Sequence, residues 1–229
     1  MKFTIARRWF SSLPPLEVEI DASLETAPYG VKLGAAIKVA LETRADLTRA
    51  DLTRAVLTGA VLTDADLTGA DLTGADLTRA DLTRADLTDA VLTDADLTDA
   101  DLTRADLTGA DLRSFKADLW MTLTQNRAEV PALVAALREG RVDGSTYSGE
   151  CACLVGTIAN AKAVNYADLV HNPDHPAERW FAMIKQSDRP GDETGGGVAA
   201  KLALEWTLEW CVLSGVEIDD GSGQLGAAS

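Results

Sequence analysis

The chain has 229 residues, a net charge of −15 and 46% hydrophobic residues, which suits one or two folded domains. No apolar run approaches about 18 residues, so the sequence predicts no membrane-spanning helix. The negative charge argues against direct binding to nucleic acid or anionic membranes and favours basic protein surfaces as partners. Three cysteines, an odd number, fit a reducing compartment better than a disulfide framework, so we expect a cytoplasmic protein.

The first 44 residues predict a small strand-and-helix segment. Short strand-like pieces at 3–5 and 16–20 are separated by a stretch rich in serine and proline. Between residues 31 and 41, apolar residues recur every four positions, which indicates one face of a helix. We expect this helix to plug the near end of the segment that follows.

Residues 45–114 repeat one phrase, Ala-Asp-Leu-Thr-X, about fourteen times without a gap. A period of five fits neither a helix, where five residues advance about 140° net, nor a flat strand, where side chains alternate. All leucines can face inward only if the chain turns a corner once per repeat. Alanine and leucine then point inside, aspartate points out, and threonine with the variable residue forms the corner.

This phrase resembles the A-[D/N]-L-x-x pattern of the pentapeptide-repeat family. The resemblance implies a right-handed, four-sided β-helix with four repeats per coil, or about 3.5 coils for this segment. The lead-in of strands and a helix also resembles phage and prophage members of that family. The overall fold class is then β+α, a β-helix between an N-terminal strand and helix cap and a C-terminal, mostly helical domain.

The coil model assigns a buried core and an exposed charge pattern. Residues twenty apart stack, so Asp46, Asp66, Asp86 and Asp106 form an unbroken row, which we call the acidic column. The row is either a solvated face that keeps the coil soluble or a binding surface. The expected interior is a leucine stack that includes Leu47, Leu52, Leu67, Leu87 and Leu107.

Beyond the repeat, the composition predicts a helical domain. A bulky apolar cluster at 115–121 is expected to close the far end of the core. Helices are predicted near 130–139, 151–162, 177–185 and 198–213, with a flexible glycine-rich loop before the last. The predicted divisions are 1–44, 45–120, 121–214 and a flexible tail at 215–229.

Candidate chemistry in the C-terminal domain is sparse. Cysteine and histidine ligands for zinc are present at Cys151, Cys153, His171 and His175, but one residue between the cysteines is tighter than the usual spacing. Buried cysteines with exposed histidines are the alternative. A cysteine hydrolase built on Cys151 lacks a local signature. We therefore expect no cofactor and no enzyme activity.

Three functional hypotheses follow. The first is a non-enzymatic interaction module, in which an acidic, rigid coil presents the helical domain to a protein partner or to a second copy in a homodimer. The second is a DNA mimic that modulates a type II topoisomerase such as gyrase, although the coil matches only about five base pairs at 3.4 Å each. The third is an enzyme or zinc-binding function in the C-terminal domain.

Overall fold

A computed structural model describes residues 1–8, 11–146, 152–169, 172 and 174–218. The chain begins with an antiparallel hairpin in which β1 (Lys2–Ile5) pairs with β2 (Leu16–Glu19). Helix α1 (Tyr29–Glu42) follows and buries Leu33 and Ile37, four residues apart. Within these described ranges, no helix is long and apolar enough to cross a bilayer.

The repeat segment, which we call the coil, winds with a period of twenty residues. Parallel bridges join residues twenty apart along its length, from Asp51–Asp71 to Val91–Asp111. Within this ladder the Asp71 N–H donates to the Ala50 carbonyl at 2.9 Å, and the Asp71 carbonyl accepts from the Leu52 N–H at 2.8 Å. Four five-residue repeats therefore make one coil, and every coil is hydrogen-bonded to the next.

Each corner of the coil is a tight turn closed inside a single repeat. The Ala55 N–H, for example, donates to the Leu52 carbonyl at 3.0 Å. The variable residue before alanine has a positive φ, such as 58° at Arg54 and 60° at Gly59. A left-handed third residue is what a type II turn requires. The threonine and variable positions thus form the corners, as the period predicts.

Leucine side chains fill the interior. All twelve leucines from the first repeat to Leu102 are at most 2% exposed. Leu107, predicted for the same core, packs against it but is only partly buried. It lies in the last coil, where no further coil stacks on it.

The N-terminal segment occupies the open edge of the first coil. The Asp51 N–H donates to the Ala6 carbonyl at 2.8 Å, and the Val56 N–H donates to the Gly30 carbonyl at 3.0 Å. In later coils these two positions bind the preceding coil. Helix α1 approaches so closely that a Cβ on Gly34 would lie 1.9 Å from the Val56 carbonyl oxygen.

Among the described residues of 113–214, five α-helices form what we call the C-terminal unit. They are α2 (Arg113–Gln125), α3 (Val130–Glu139), α4 (Leu154–Lys162), α5 (Pro176–Phe181) and α6 (Gly195–Ser214). Phe115 is fully buried and lies 5.1 Å, centroid to centroid, from Trp180, which lies 5.0 Å from Trp206. This aromatic cluster joins α2, α5 and α6.

Several predicted boundaries differ from the structure; α5, for example, ends at Phe181 and not at residue 185. The predicted end of the coil at residue 120 falls inside α2, since bridging ends at Asp111 and the helix begins two residues later. The prediction of a flexible glycine-rich loop before the last helix is wrong for Gly195–Gly197, because these residues form the buried first turn of α6. A Cβ on Gly195 would lie 2.6 Å from the Leu102 nitrogen of the coil, whereas a Cβ on Gly196 or Gly197 would collide with Asp188 or Asp192 of the preceding loop.

The C-terminal unit also binds the side of the coil. Arg179 Nε lies 3.4 Å from Asp96 Oδ2, and Lys185 Nζ lies 2.5 Å from Asp99 Oδ1. The Gly195 N–H donates to Thr103 Oγ1 at 3.0 Å. The unit therefore caps one end of the coil and continues along its flank.

Candidate binding surface

The acidic column lies on an open face of the coil. Asp66, Asp86 and Asp106 are joined by consecutive parallel bridges, and all three are exposed. Asp46 is exposed too, but its carbonyl accepts from Arg7 Nη2 at 2.7 Å and a groove of about 910 Å³ lies between it and Asp66. The column thus has three stacked members and one set apart.

The backbone fixes the direction of these carboxylates. Oδ1 of Asp86 accepts from the N–H of Thr88 at 2.9 Å, and Asp66 and Asp106 make the same bond two residues on, at 3.1 and 2.9 Å. This is an Asx turn, in which the side chain substitutes for a backbone acceptor. Hydrogen bonds from the Thr88 hydroxyl and N–H lower the pKa of Asp86. The carboxylate is therefore ionised at neutral pH.

Arginines beside the column are already neutralised. Arg84 donates two hydrogen bonds, of 2.5 and 2.6 Å, to Asp64 at the same corner of the preceding coil. Arg104, twenty residues on, pairs with Glu193 of the C-terminal unit. These two cations have acidic partners of their own, so the column stays negative.

Comparison with protein families identifies the repeat. The family model for pentapeptide repeats matches residues 43–79 and 75–113, in eight copies. Residues 43–113 are pentapeptide repeats. No curated protein matches the chain.

Two solved structures share the repeat with this chain. A pentapeptide-repeat protein from the thylakoid lumen of Arabidopsis thaliana is 38% identical, with a TM-score of 0.22, over 28% of this chain and 48% of its own. HetL is a pentapeptide-repeat protein involved in regulating heterocyst differentiation in the cyanobacterium Nostoc. It is 36% identical, with a TM-score of 0.21, over 28% of this chain and 39% of its own. The chain thus spans less than half the length of either solved protein.

The residues of the zinc hypothesis are only partly described. Cys151 and His171 lie outside the described residues. Cys153 is buried, and its Sγ accepts from the Gly156 N–H at 3.5 Å. His175 Nδ1 lies 3.5 Å from Asp118 Oδ1. Among the residues that the structure describes, no three histidine, cysteine or acidic side chains gather as a metal site.

The sequence did not predict a buried glutamate in the C-terminal unit. Glu178 on α5 is 8% exposed, and burial raises its pKa to about 7. Burial likewise raises the pKa of the neighbouring Cys153 thiol to about 12, so this thiol is a poor nucleophile. The only signal in the sequence is an acidic residue two positions before the apolar pair Trp180 and Phe181.

Proposed function

We propose that this protein is a non-enzymatic interaction module whose acidic column binds a basic surface of a partner protein. Pentapeptide-repeat proteins are generally structural or interaction modules. The observation that supports a specific surface is the row of exposed Asp66, Asp86 and Asp106, each held by an Asx turn. A pre-oriented charged row loses little conformational entropy when a partner binds.

The C-terminal unit has a supporting role in this proposal. Its ion pairs to the coil involve Asp96, Asp99 and Arg104 and leave the column exposed. Val212 and Leu213, 79% and 69% exposed near the end of α6, offer apolar contacts to the same partner or to a second copy. Free thiols at Cys153 and Cys211 fit our further proposal of a reducing, cytoplasmic location. We also take the coil to be right-handed, as the family implies.

The column can be tested by removing charge while keeping the turn. Asparagine retains the acceptor oxygen of an Asx turn, so Asp66→Asn, Asp86→Asn and Asp106→Asn together should fold normally. The control triple, Asp51→Asn, Asp71→Asn and Asp81→Asn, changes the net charge equally on other faces. A pull-down from the native host should recover a protein with wild type and control, but at least about tenfold less with the column variant. Equal recovery by both triples would refute the proposal.

A DNA mimic is the second candidate, and the stacked aspartates favour it. They place like charges about 4.8 Å apart along one line, whereas the phosphates of one DNA strand recur about every 3.4 Å along the helix axis. If the protein is a DNA mimic, wild type should inhibit supercoiling by gyrase at micromolar concentration, and the variant with asparagine at 66, 86 and 106 should not. Inhibition should weaken steeply as salt rises. Supercoiling that is unchanged by wild type would exclude this candidate and leave the first one standing.

A further inference from the structure

A cavity of about 470 Å³ opens between α2, α4 and α5 of the C-terminal unit. Leu154, Val155 and Ile158 of α4 line one part of its wall, and Leu169 extends the apolar surface. Asp118 of α2 and Glu178 of α5 add two carboxyl groups. Both the volume and the combination of apolar walls with a few polar groups are typical of small-molecule sites.

Glu178 is the unusual feature of this cavity. Glu178 is only 8% exposed, and its Oε1 has no hydrogen-bond partner in the described part of the chain. Leaving a buried carboxyl oxygen unpaired is costly, and native proteins rarely do so without a structural or functional reason. A ligand that donates a hydrogen bond would supply the missing partner.

The neighbours of Glu178 indicate the charge of that ligand. Asp118 lies in the same wall, where its Oδ2 accepts from the Ala177 N–H at 3.0 Å. Arg179, the next residue on α5, lies within ion-pair distance of Asp96 and Asp174 instead. His175 is near Asp118, and Lys162 lies at the cavity wall on α4. The cavity lining thus carries three carboxyl groups, those of Asp118, Asp168 and Glu178, against one lysine.

We propose that this cavity binds a small primary amine, with its ammonium group on Glu178 and Asp118 and its apolar body against α4. An ammonium carries three N–H donors, so it can satisfy Glu178 Oε1 and still reach the Asp118 carboxylate. Charge-assisted bonds of this type are about twice as strong as neutral ones. The proposal is independent of the acidic column, which lies on the coil.

Benzylamine is a suitable probe, and benzyl alcohol is its neutral counterpart of matched shape. Isothermal titration at pH 8 should show saturable binding of benzylamine to the full chain, and benzyl alcohol should bind at least about tenfold more weakly. Glu178→Gln preserves volume and removes the charge, so it should weaken benzylamine binding by about tenfold or more. Asp143→Asn, away from the cavity, is the control and should bind as wild type does.

Three results would overturn the proposal: no binding of benzylamine, equal binding of the amine and the alcohol, or unchanged binding by Glu178→Gln. If Glu178→Gln does not fold, the melting temperature of wild type with and without each probe tests the proposal. Benzylamine should then raise the melting temperature, and benzyl alcohol should raise it less. Equal shifts would show that the cavity recognises only an apolar ring.

Discussion

At the scale of single residues, aspartate has two separable effects in the pentapeptide-repeat coil. Its Oδ1 closes an Asx turn onto the threonine two residues later, as Asp81 does with Thr83 at 3.0 Å. Asparagine closes such a turn equally well, so the turn does not require a charge. Aspartate nevertheless fills eleven of the fourteen positions. Its charge therefore serves solubility or binding, and the binding interpretation is the one we propose.

The same turns predict a loss of stability in acid. Hydrogen bonds from Thr83 and Thr88 lower the pKa of Asp81 and Asp86 below the ordinary value of 3.8. A carboxyl with a lower pKa in the folded state contributes stability that is complete above its unfolded pKa. That contribution is lost as the pH falls through the folded value. We expect the free energy of unfolding of wild type to decrease below about pH 4.

A matched variant isolates this contribution. Asp81→Asn with Asp86→Asn keeps the acceptor oxygens and removes both titrations, so the decrease in acid should be smaller than in wild type. Urea titrations at several pH values between about 2.5 and 6 would measure the slope. Parallel slopes for the two proteins would show that these carboxylates do not have a lower pKa in the folded state.

At the scale of elements, the contact of α1 with the first coil depends on the absence of a side chain at Gly34. A Cβ there would lie 1.9 Å from the Val56 carbonyl oxygen, and that backbone belongs to the ladder. Alanine is the better helix former by about 1 kcal/mol, so propensity alone predicts that Gly34→Ala stabilises the protein. We expect the opposite, a loss of about 1–3 kcal/mol, because the helix must move away from the coil.

Chemical denaturation would measure this effect, with Lys38→Ala as the control. Lys38 is exposed on the same helix, so its replacement should change stability by less than about 0.5 kcal/mol. Stabilisation by Gly34→Ala would mean that α1 does not pack on Val56 as described.

Elements with strong local signals could be predicted from the sequence, and those set by tertiary contact could not. Helix α3 begins and ends where its proline and Gly140 predict, and Gly140 is left-handed at φ 69°. Helix α6 begins earlier than predicted, because Gly195 to Gly197 leave room for close contacts with the coil and with the preceding loop, which helix propensity does not reveal. Met121, part of the apolar cluster predicted to close the core, is 59% exposed, because no described element covers it.

The two candidate sites differ in the same way. The acidic column could be predicted from the sequence, because five-residue repeats, four to a coil, place residues twenty apart in one row. The amine site brings together Asp118, Ile158 and Glu178 from three helices, and no sequence period relates them. Only the packing of those helices shows that they meet.

At the scale of the whole molecule, the coil is protected at both ends and braced along one side. Backbone groups of Ala6 and Gly30 bind its first edge, and α2, which buries Phe115, begins two residues after its last bridge. An open solenoid would expose strand edges that template association with other chains. Bracing by Arg179 and Lys185 adds ion pairs from the C-terminal unit to the coil. The acidic column stays exposed in this arrangement.

The twenty-residue coil is the central claim, and disulfide trapping tests it most directly. After Cys151, Cys153 and Cys211 are replaced by serine, cysteines introduced at 66 and 86 should lie about 4.8 Å apart, within the range a disulfide spans. A pair at 66 and 81 would lie on adjoining faces and point apart. Mild oxidation should trap the 66–86 pair rapidly and leave 66–81 reduced. Preferential trapping of 66–81, or no trapping of 66–86, would contradict the coil.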